Sequence, residues 1–324
     1  MARLRLIVAS ACLLGLVQGV RAAPLFPKDA FSDGAAGTTA AAFLKIPAGA
    51  RAQGLGGSHV AAAADSEAMF WNPAGLARLE KAGLSDASFG YGALLETSYA
   101  GTMAYARPLS ADRGAFGVSL TYFSQSSIQG YGVRGDPEAS FTPKDYALSG
   151  AYGRKLGRVL LGGGLKVIRS ELADVSGTGF AADFGVQSER VTDVGEGALD
   201  LGASILNFGP PLKMGSSSDP LPCILRGGSL WHISPTVNAL LDGNFPVDGD
   251  PFVGFGLEAD LPVQESFKAS FRGGYNTRNA SDIEGLAGMS LGFGVTVYRF
   301  RLDYAWVPMG DLGSTHRVTM GLKF

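Results

Sequence analysis

The chain has 324 residues and a formal net charge of −2, so it carries no basic footprint for nucleic acid. Charged residues make up 17% against the usual ~25%, and the 47 glycines are about twice the usual ~7%. Two cysteines, one of them Cys12 near the start, exclude a disulfide-stapled fold.

The first element is MARLRLIVASACLLGLVQGVRA, residues 1–22. Arg3 and Arg5 give a basic start and Leu6–Val17 an apolar run. Val20-Arg21-Ala22 then offers side chains that a signal peptidase tolerates, which predicts a cleaved secretory signal with Ala23 as the first mature residue. The run is too short for an uncleaved anchor, since a spanning helix needs about 20 apolar residues. Cys12 has no Leu three residues before it, so a lipoprotein anchor is not expected, and Cys223 alone remains in the mature chain. No later apolar stretch is long enough for a membrane helix. An exported, glycine-rich, charge-poor chain of this kind has a closed β-barrel as its way through a membrane.

Residues 23–82 read as a separate N-terminal segment. Residues 23–37 (APLFPKDAFSDGAAG) look like a flexible lead-in. TTAAAFLKI, 38–46, predicts a short helix stopped by Pro47, which has no N–H for a helix interior. Gly54, Gly56 and Gly57 predict a tight turn, and Asp65-Ser66-Glu67 a cap for a second short helix carrying Met69, Phe70 and Trp71. Asn72 precedes Pro73 and is pushed away from helical geometry, so the chain should bend there, ahead of Ala74.

From Gly83 to residue 324 the period of the sequence becomes two. In HRVTMGLKF, Val318, Met320, Leu322 and Phe324 share one parity and Arg317, Thr319, Gly321 and Lys323 the other. RFRLDYAW and GMSLGFGVTV alternate in the same way, which sorts side chains onto two faces of a strand. Fourteen segments follow this pattern: 84–92, 98–107, 114–124, 145–154, 158–170, 178–189, 197–207, 223–233, 236–245, 252–261, 267–277, 287–297, 299–307 and 315–324. Their lengths suit tilted membrane strands of about 9–11 residues better than soluble strands of about 5–6. Short links such as KLGR and HISP alternate with long ones such as NFGPPLKMGSSSDPLP, as in an outer-membrane barrel. An even count returns the C-terminus to the periplasmic side, where the N-terminal segment is expected to start.

A secreted β-sandwich also alternates, but three features favour the barrel. Aromatics lie near strand ends on the apolar parity, with Tyr304 and Trp306 at one rim and Phe324 at the other. The opposite parity combines Gly with Lys166, Asp183, Asp200, Glu258, Arg272 and Arg301, which suits a wet lumen. Phe324, an apolar-face aromatic ending the chain, is the expected C-terminal signal for membrane insertion by the barrel assembly machinery. Arg301, Asp303 and Arg317 are expected to line one lumenal wall as a cross-strand ion-pair ladder, and Cys223, in step with Leu225 and Trp231, to face lipid. The expected fold is therefore all-β: a transmembrane antiparallel barrel of about fourteen strands behind a short helical N-terminal segment.

The block FLKIPAGARAQGLGGSHVAAAADSEAMFWNPAGLA resembles the N-terminal segment of the PorV/PorQ family, a branch related to FadL-type outer-membrane barrels. YGRKL, RSELADVSGTGFAADFGV, LNFGP, SDPLP and RLDYAWVPMGDLGSTHRVTMGLKF are similar to the same family, so the likeness spans nearly the whole mature chain. The resemblance implies a fourteen-stranded barrel in the outer membrane of a Gram-negative bacterium. It also implies an N-terminal hatch with an Asn-Pro-Ala motif, matched here by Asn72, Pro73 and Ala74. AMFWNPAGL would then be a plug, with Met69, Phe70 and Trp71 against lumen-facing side chains and the Asn72 amide serving unpaired backbone groups of the wall. The alternative is a periplasmic cap outside the pore.

Three functions follow from the likeness: a cargo-binding or shuttle component of type IX-like protein secretion, FadL-like uptake of a hydrophobic small molecule, or a structural outer-membrane role. The partners implied are outer-membrane lipid and secreted cargo proteins or a hydrophobic ligand. No enzyme activity, cofactor or metal is expected. Gly130-Tyr131-Gly132-Val133-Arg134-Gly135 fits a dinucleotide-binding pattern, but Pro137 and Pro143 stand where its helix should begin, so it reads as a loop. His59, His232 and His316 lie on distant segments with no nucleophile elbow. Asp248-Gly249-Asp250 is read as a turn, since it lacks the oxygen series of a dedicated Ca²⁺ site.

Overall fold

The computed structural model describes residues 24–95, 97–109, 113–280 and 286–324. The expected signal peptide, residues 1–22, lies outside them. The strands, in chain order, are β1 (Asp86–Ala93), β2 (Ser98–Pro108), β3 (Ala115–Gln125), β4 (Lys144–Leu156), β5 (Val159–Leu172), β6 (Val175–Val194), β7 (Gly197–Phe208), β8 (Leu212–Met214), β9 (Ser217–Asp219), β10 (Ile224–Ser234), β11 (Val237–Pro246), β12 (Phe252–Gln264), β13 (Phe267–Asn276), β14 (Met289–Val297), β15 (Phe300–Pro308) and β16 (Ser314–Lys323). Among the described residues fourteen of them close into one antiparallel barrel. β8 and β9 pair only with each other, and β7 hydrogen-bonds directly to β10. The closing seam joins β1 to β16, from Asp86 opposite Lys323 to Ala93 opposite His316.

Alternation decides what each face meets. Met320 and Leu322 of β16, like Leu291 and Phe293 of β14, point outward and are exposed, while Arg317 and Thr319 are buried inside. Outward aromatics gather at the two ends of the wall. Tyr99, Tyr122 and Tyr146 stand in a row with ring centroids 6.0 and 5.1 Å apart at the end that carries the longest loop. Tyr105 meets Phe116 at 6.4 Å and Phe324 at 6.2 Å at the other. Such paired girdles mark the two interfaces of a bilayer. No helix among the described residues is long and apolar enough to cross a membrane.

The barrel has a turn end, where β1 begins and β16 finishes, and a loop end opposite. Several expectations change in detail. β6 runs through 20 residues and slips register twice against β7, so it outgrows the 178–189 segment. The 209–223 connection, read as a plain loop, folds over β6 as the β8–β9 hairpin and buries Leu212 and Leu221 beside Phe43 and Ile168. Connections at the loop end are not uniformly long, because β5 and β6 are joined by Ala173 and Asp174 alone. Cys223 does not face lipid: it is 3% exposed, and its carbonyl accepts the Val247 N–H. The strand and its alternation start only at Ile224, so Cys223 lies outside the parity that Leu225 and Trp231 share.

Candidate functional site: the filled lumen

Residues 24–85 fill and cross the barrel from loop end to turn end. The lead-in is docked rather than free. Phe31 N–H donates to the Val247 carbonyl, Asp33 N–H to Asp250, and Phe26 packs on Phe208 at 6.3 Å. Lys45 pairs with Asp248 at 2.6 Å and Thr39 donates to the same carboxylate, so the acidic turn 248–250 clasps this segment. The segment thus begins at the loop end, opposite to the expected side.

Inside follow a 3-10 turn at Ala42–Lys45, where a helix over 38–46 was expected, then α1 (Ala50–Gly54), α2 (Ala68–Trp71), a 3-10 stretch Pro73–Arg78 and α3 (Leu79–Ala82). Helices this short do not stand alone in water; contact with the wall holds them. The turn at Gly56 and Gly57 is as expected, with φ of +65° and +75°. The expected cap is not: Glu67 precedes α2 without a side-chain cap bond. The acidic groups are drawn to the wall instead, Glu67 to Arg301 at 2.7 Å and Asp65 to Lys323 at 3.0 Å. An ion pair with a wall cation outcompetes a local cap.

Asn72 is the centre of the arrangement. Its backbone is extended (φ −161°), its Oδ1 accepts the Ala74 N–H at 3.1 Å, and Pro73 takes the first helical position, where no N–H is needed. The Asn72 amide donates to the carbonyls of Val60 and Val186 at 3.0 Å and of Ala203 at 3.2 Å. Val186 on β6 and Ala203 on β7 face each other across one rung. Met69 and Trp71 are buried and Phe70 is half-buried against the same cluster. Trp71 donates from Nε1 to the Ala48 carbonyl at 3.0 Å, and its carbonyl receives Ser204 Oγ at 2.8 Å. Ala74 packs with Ala77 and Leu160.

The wall makes room by omitting side chains. A methyl on Gly162 would fall on the Pro73–Ala74 peptide, one on Gly185 on the Asn72 amide oxygen, and one on Gly202 within 2.7 Å of Ala61 Cα. Glycine in these strands therefore marks close approach of another backbone.

Charge completes the fit. Glu258 receives Arg51 at 2.7 Å and Arg272 at 2.8 Å; Arg272 also reaches Asp303 at 2.7 Å, and Asp303 meets Arg301 at 3.0 Å. The expected ladder of Arg301, Asp303 and Arg317 is thus corrected: the first two join a network that includes the N-terminal segment, while Arg317 donates to the Pro47 carbonyl at 2.9 Å. The N-terminal segment holds both sides of the closing seam, since Ser66 bonds to Asp86 and Ser88 of β1, and Ala50 N–H to Thr319 of β16 at 2.9 Å. Glu258 and Arg272 are visible in the sequence as polar-parity charges; their partner Arg51 is not, because nothing local joins residues some 200 positions apart. No group of three metal-ligating side chains is assembled among the described residues. Phe324 sits on the outer face, 52% exposed, its backbone paired with Ser85.

Between this segment and the loop end remains a cavity of about 450 Å³, bordered by Ile46, Trp71, Arg226, Asn276, Met289 and Arg317. The sequence profile described as "Type IX secretion system protein PorV" matches residues 30–232, well over half of the chain. The chain belongs to the PorV family. No curated protein sequence matches it. In fold, this PorV-family barrel is similar to the toluene transporter TodX of Pseudomonas putida, with a TM-score of 0.54 and 11% identity over 85% of this chain and 97% of that one. It is likewise similar to the toluene transporter TbuX of Ralstonia pickettii, with a TM-score of 0.53 and 13% identity over 85% and 97% of the two chains. At these identities the likeness speaks for the fold alone. Family and fold make the protein an outer-membrane β-barrel.

Proposed function

We propose that this PorV-family protein serves protein secretion as a closed platform, holding secreted cargo at its loop end rather than passing it through its lumen. Residues 23–82 are the plug, and residues 1–22 are an export signal removed before insertion. The observation that carries the reading is the stitching between the N-terminal segment and the wall: the Asn72 amide, the Arg51–Glu258 pair and the Glu67–Arg301 pair tie it to strands around the lumen. The long 126–143 loop and the β8–β9 hairpin then supply surface at the outer side. Outer-membrane lipid and the barrel assembly machinery, which reads the terminal Phe324 strand, are the remaining partners.

The test is affinity capture of the tagged mature protein from its native outer membrane, with proteins and extractable lipids both analysed. Recovery of secreted proteins or of translocon components supports the platform. A second reading, uptake of a hydrophobic small molecule, is favoured by the 450 Å³ cavity and by the fold shared with transporters. Capture of an apolar small molecule without any protein partner would replace the first reading by the second.

A further inference from the structure

Several charges at the turn end are matched within the protein. Lys155 pairs with Glu189, Arg190 with Asp193 at 3.0 Å, and Lys268 with Asp260 at 2.9 Å. The hairpins β2–β3 and β4–β5 also carry Arg107, Arg113, Arg154 and Arg158, all exposed. None of these four forms an ion pair or a side-chain hydrogen bond among the described residues.

Register gathers three of them on the outer face. Arg107 of β2 stands opposite Phe116 of β3, Phe116 stands opposite Tyr152 of β4, and Arg154 is the next outward residue on β4. Neighbouring strands lie about 4.8 Å apart and successive outward residues about 6.7 Å apart, which puts the Cα atoms of Arg107 and Arg154 about 12 Å apart. Two extended arginine side chains can meet over that span. The Tyr152 hydroxyl donates to the Arg113 carbonyl at 2.7 Å and anchors the backbone of Arg113 in the same patch.

The patch borders the aromatic girdle of the turn end, formed by Tyr105, Phe116 and Phe324. That is the level of lipid headgroups. Toward the middle of the wall the same face continues with Val118 and Leu148, both exposed and apolar. Guanidiniums at headgroup level above an apolar wall match a phosphate carried on acyl chains, and arginine takes phosphate through two parallel N–H groups. Short turns mark this end as the periplasmic one.

We infer that Arg107, Arg113 and Arg154 form a docking surface for the headgroup of an acidic phospholipid in the periplasmic leaflet, whose acyl chains lie on Val118 and Leu148. The inference stands apart from the secretion reading, since it concerns the outer wall and neither the lumen nor the loop end.

The test uses the mature protein in a nonionic maltoside, with lipid adducts counted by native mass spectrometry. Dioleoylphosphatidylglycerol should bind at least tenfold more tightly than dioleoylphosphatidylcholine, and the preference should shrink as ammonium acetate is raised. Arg107→Gln/Arg154→Gln should remove most of the preference, at about fivefold per arginine. Arg107→Lys/Arg154→Lys should keep most of it, and Arg134→Gln, in the exposed loop at the opposite end, all of it. Equal affinity for the two lipids, an undiminished preference in a well-folded glutamine double variant, or the same loss with Arg134→Gln overturns the inference. Phenylglyoxal modification of the wild-type protein keeps the test decisive if the double variant fails to fold. Phosphatidylglycerol should protect Arg107, Arg113 and Arg154 and leave Arg134 reactive. Absence of that protection, or protection by lipopolysaccharide in its place, overturns the inference.

Discussion

At the scale of single residues, one amide and one carboxylate carry much of the plug's attachment. The amide of Asn72 is met by three backbone carbonyls, from the plug and from two neighbouring strands. Asn72→Ala should lower stability by about 1–3 kcal/mol, as when a buried acceptor loses its donor. Asn72→Asp keeps the acceptor for Ala74 but turns a carboxylate toward carbonyl oxygens, so it should be at least as damaging. Urea unfolding in detergent measures both; an Asp variant as stable as wild type would mean the amide is not acting as a donor. Glu258 serves two guanidiniums at once and is 1% exposed. Glu258→Gln should cost about 3–5 kcal/mol, the penalty for stranding a buried charge. The exposed pair of Arg169 and Glu171 is the control: Glu171→Gln should shift the same unfolding curve by less than about 1 kcal/mol.

At the scale of elements, the glycine-bearing wall strands make sense only with the plug in place. Strand propensity alone would disfavour so many glycines. Gly162→Ala pushes a methyl into the Pro73–Ala74 peptide, whereas Gly150→Ala, on β4, has open space around its new methyl. The first should loosen the plug, seen as conductance steps in planar bilayers and as faster proteolysis of residues 24–82. The second should leave the barrel silent and intact; equal behaviour of the two would argue against a glycine seat. The fourteen barrel strands were legible in the sequence because lipid outside and plug and charge inside impose a period of two on every strand. Asn72 and Pro73 were legible too, through the dihedral restriction that proline places on its predecessor. The rest of the site was not. Arg51 meets Glu258, and Asp65 and Glu67 meet Arg301, across more than 200 residues, and local patterning holds no record of such pairs. Local reading therefore assigned Asp65 and Glu67 to a helix cap.

At the scale of the whole molecule, the docked lead-in sets the direction of the chain. An epitope tag inserted directly before Pro24 should be reached by antibody on intact cells, as should one in the 126–143 loop. A tag after Phe324 should be reached only once the outer membrane is permeabilised. An N-terminal tag that stays hidden on intact cells, beside an accessible loop tag, would mean that the segment 24–46 is not held at the loop end.

The same path through the lumen bears on how the cylinder is completed. Its first and last staves, β1 and β16, are separated by most of the chain, and bringing such distant partners together carries an entropic cost that grows with the logarithm of the distance. Ser66 lies against one of them, Asp65 and Ala50 against the other. By touching both staves, residues 50–66 add contacts across the join that offset part of this cost.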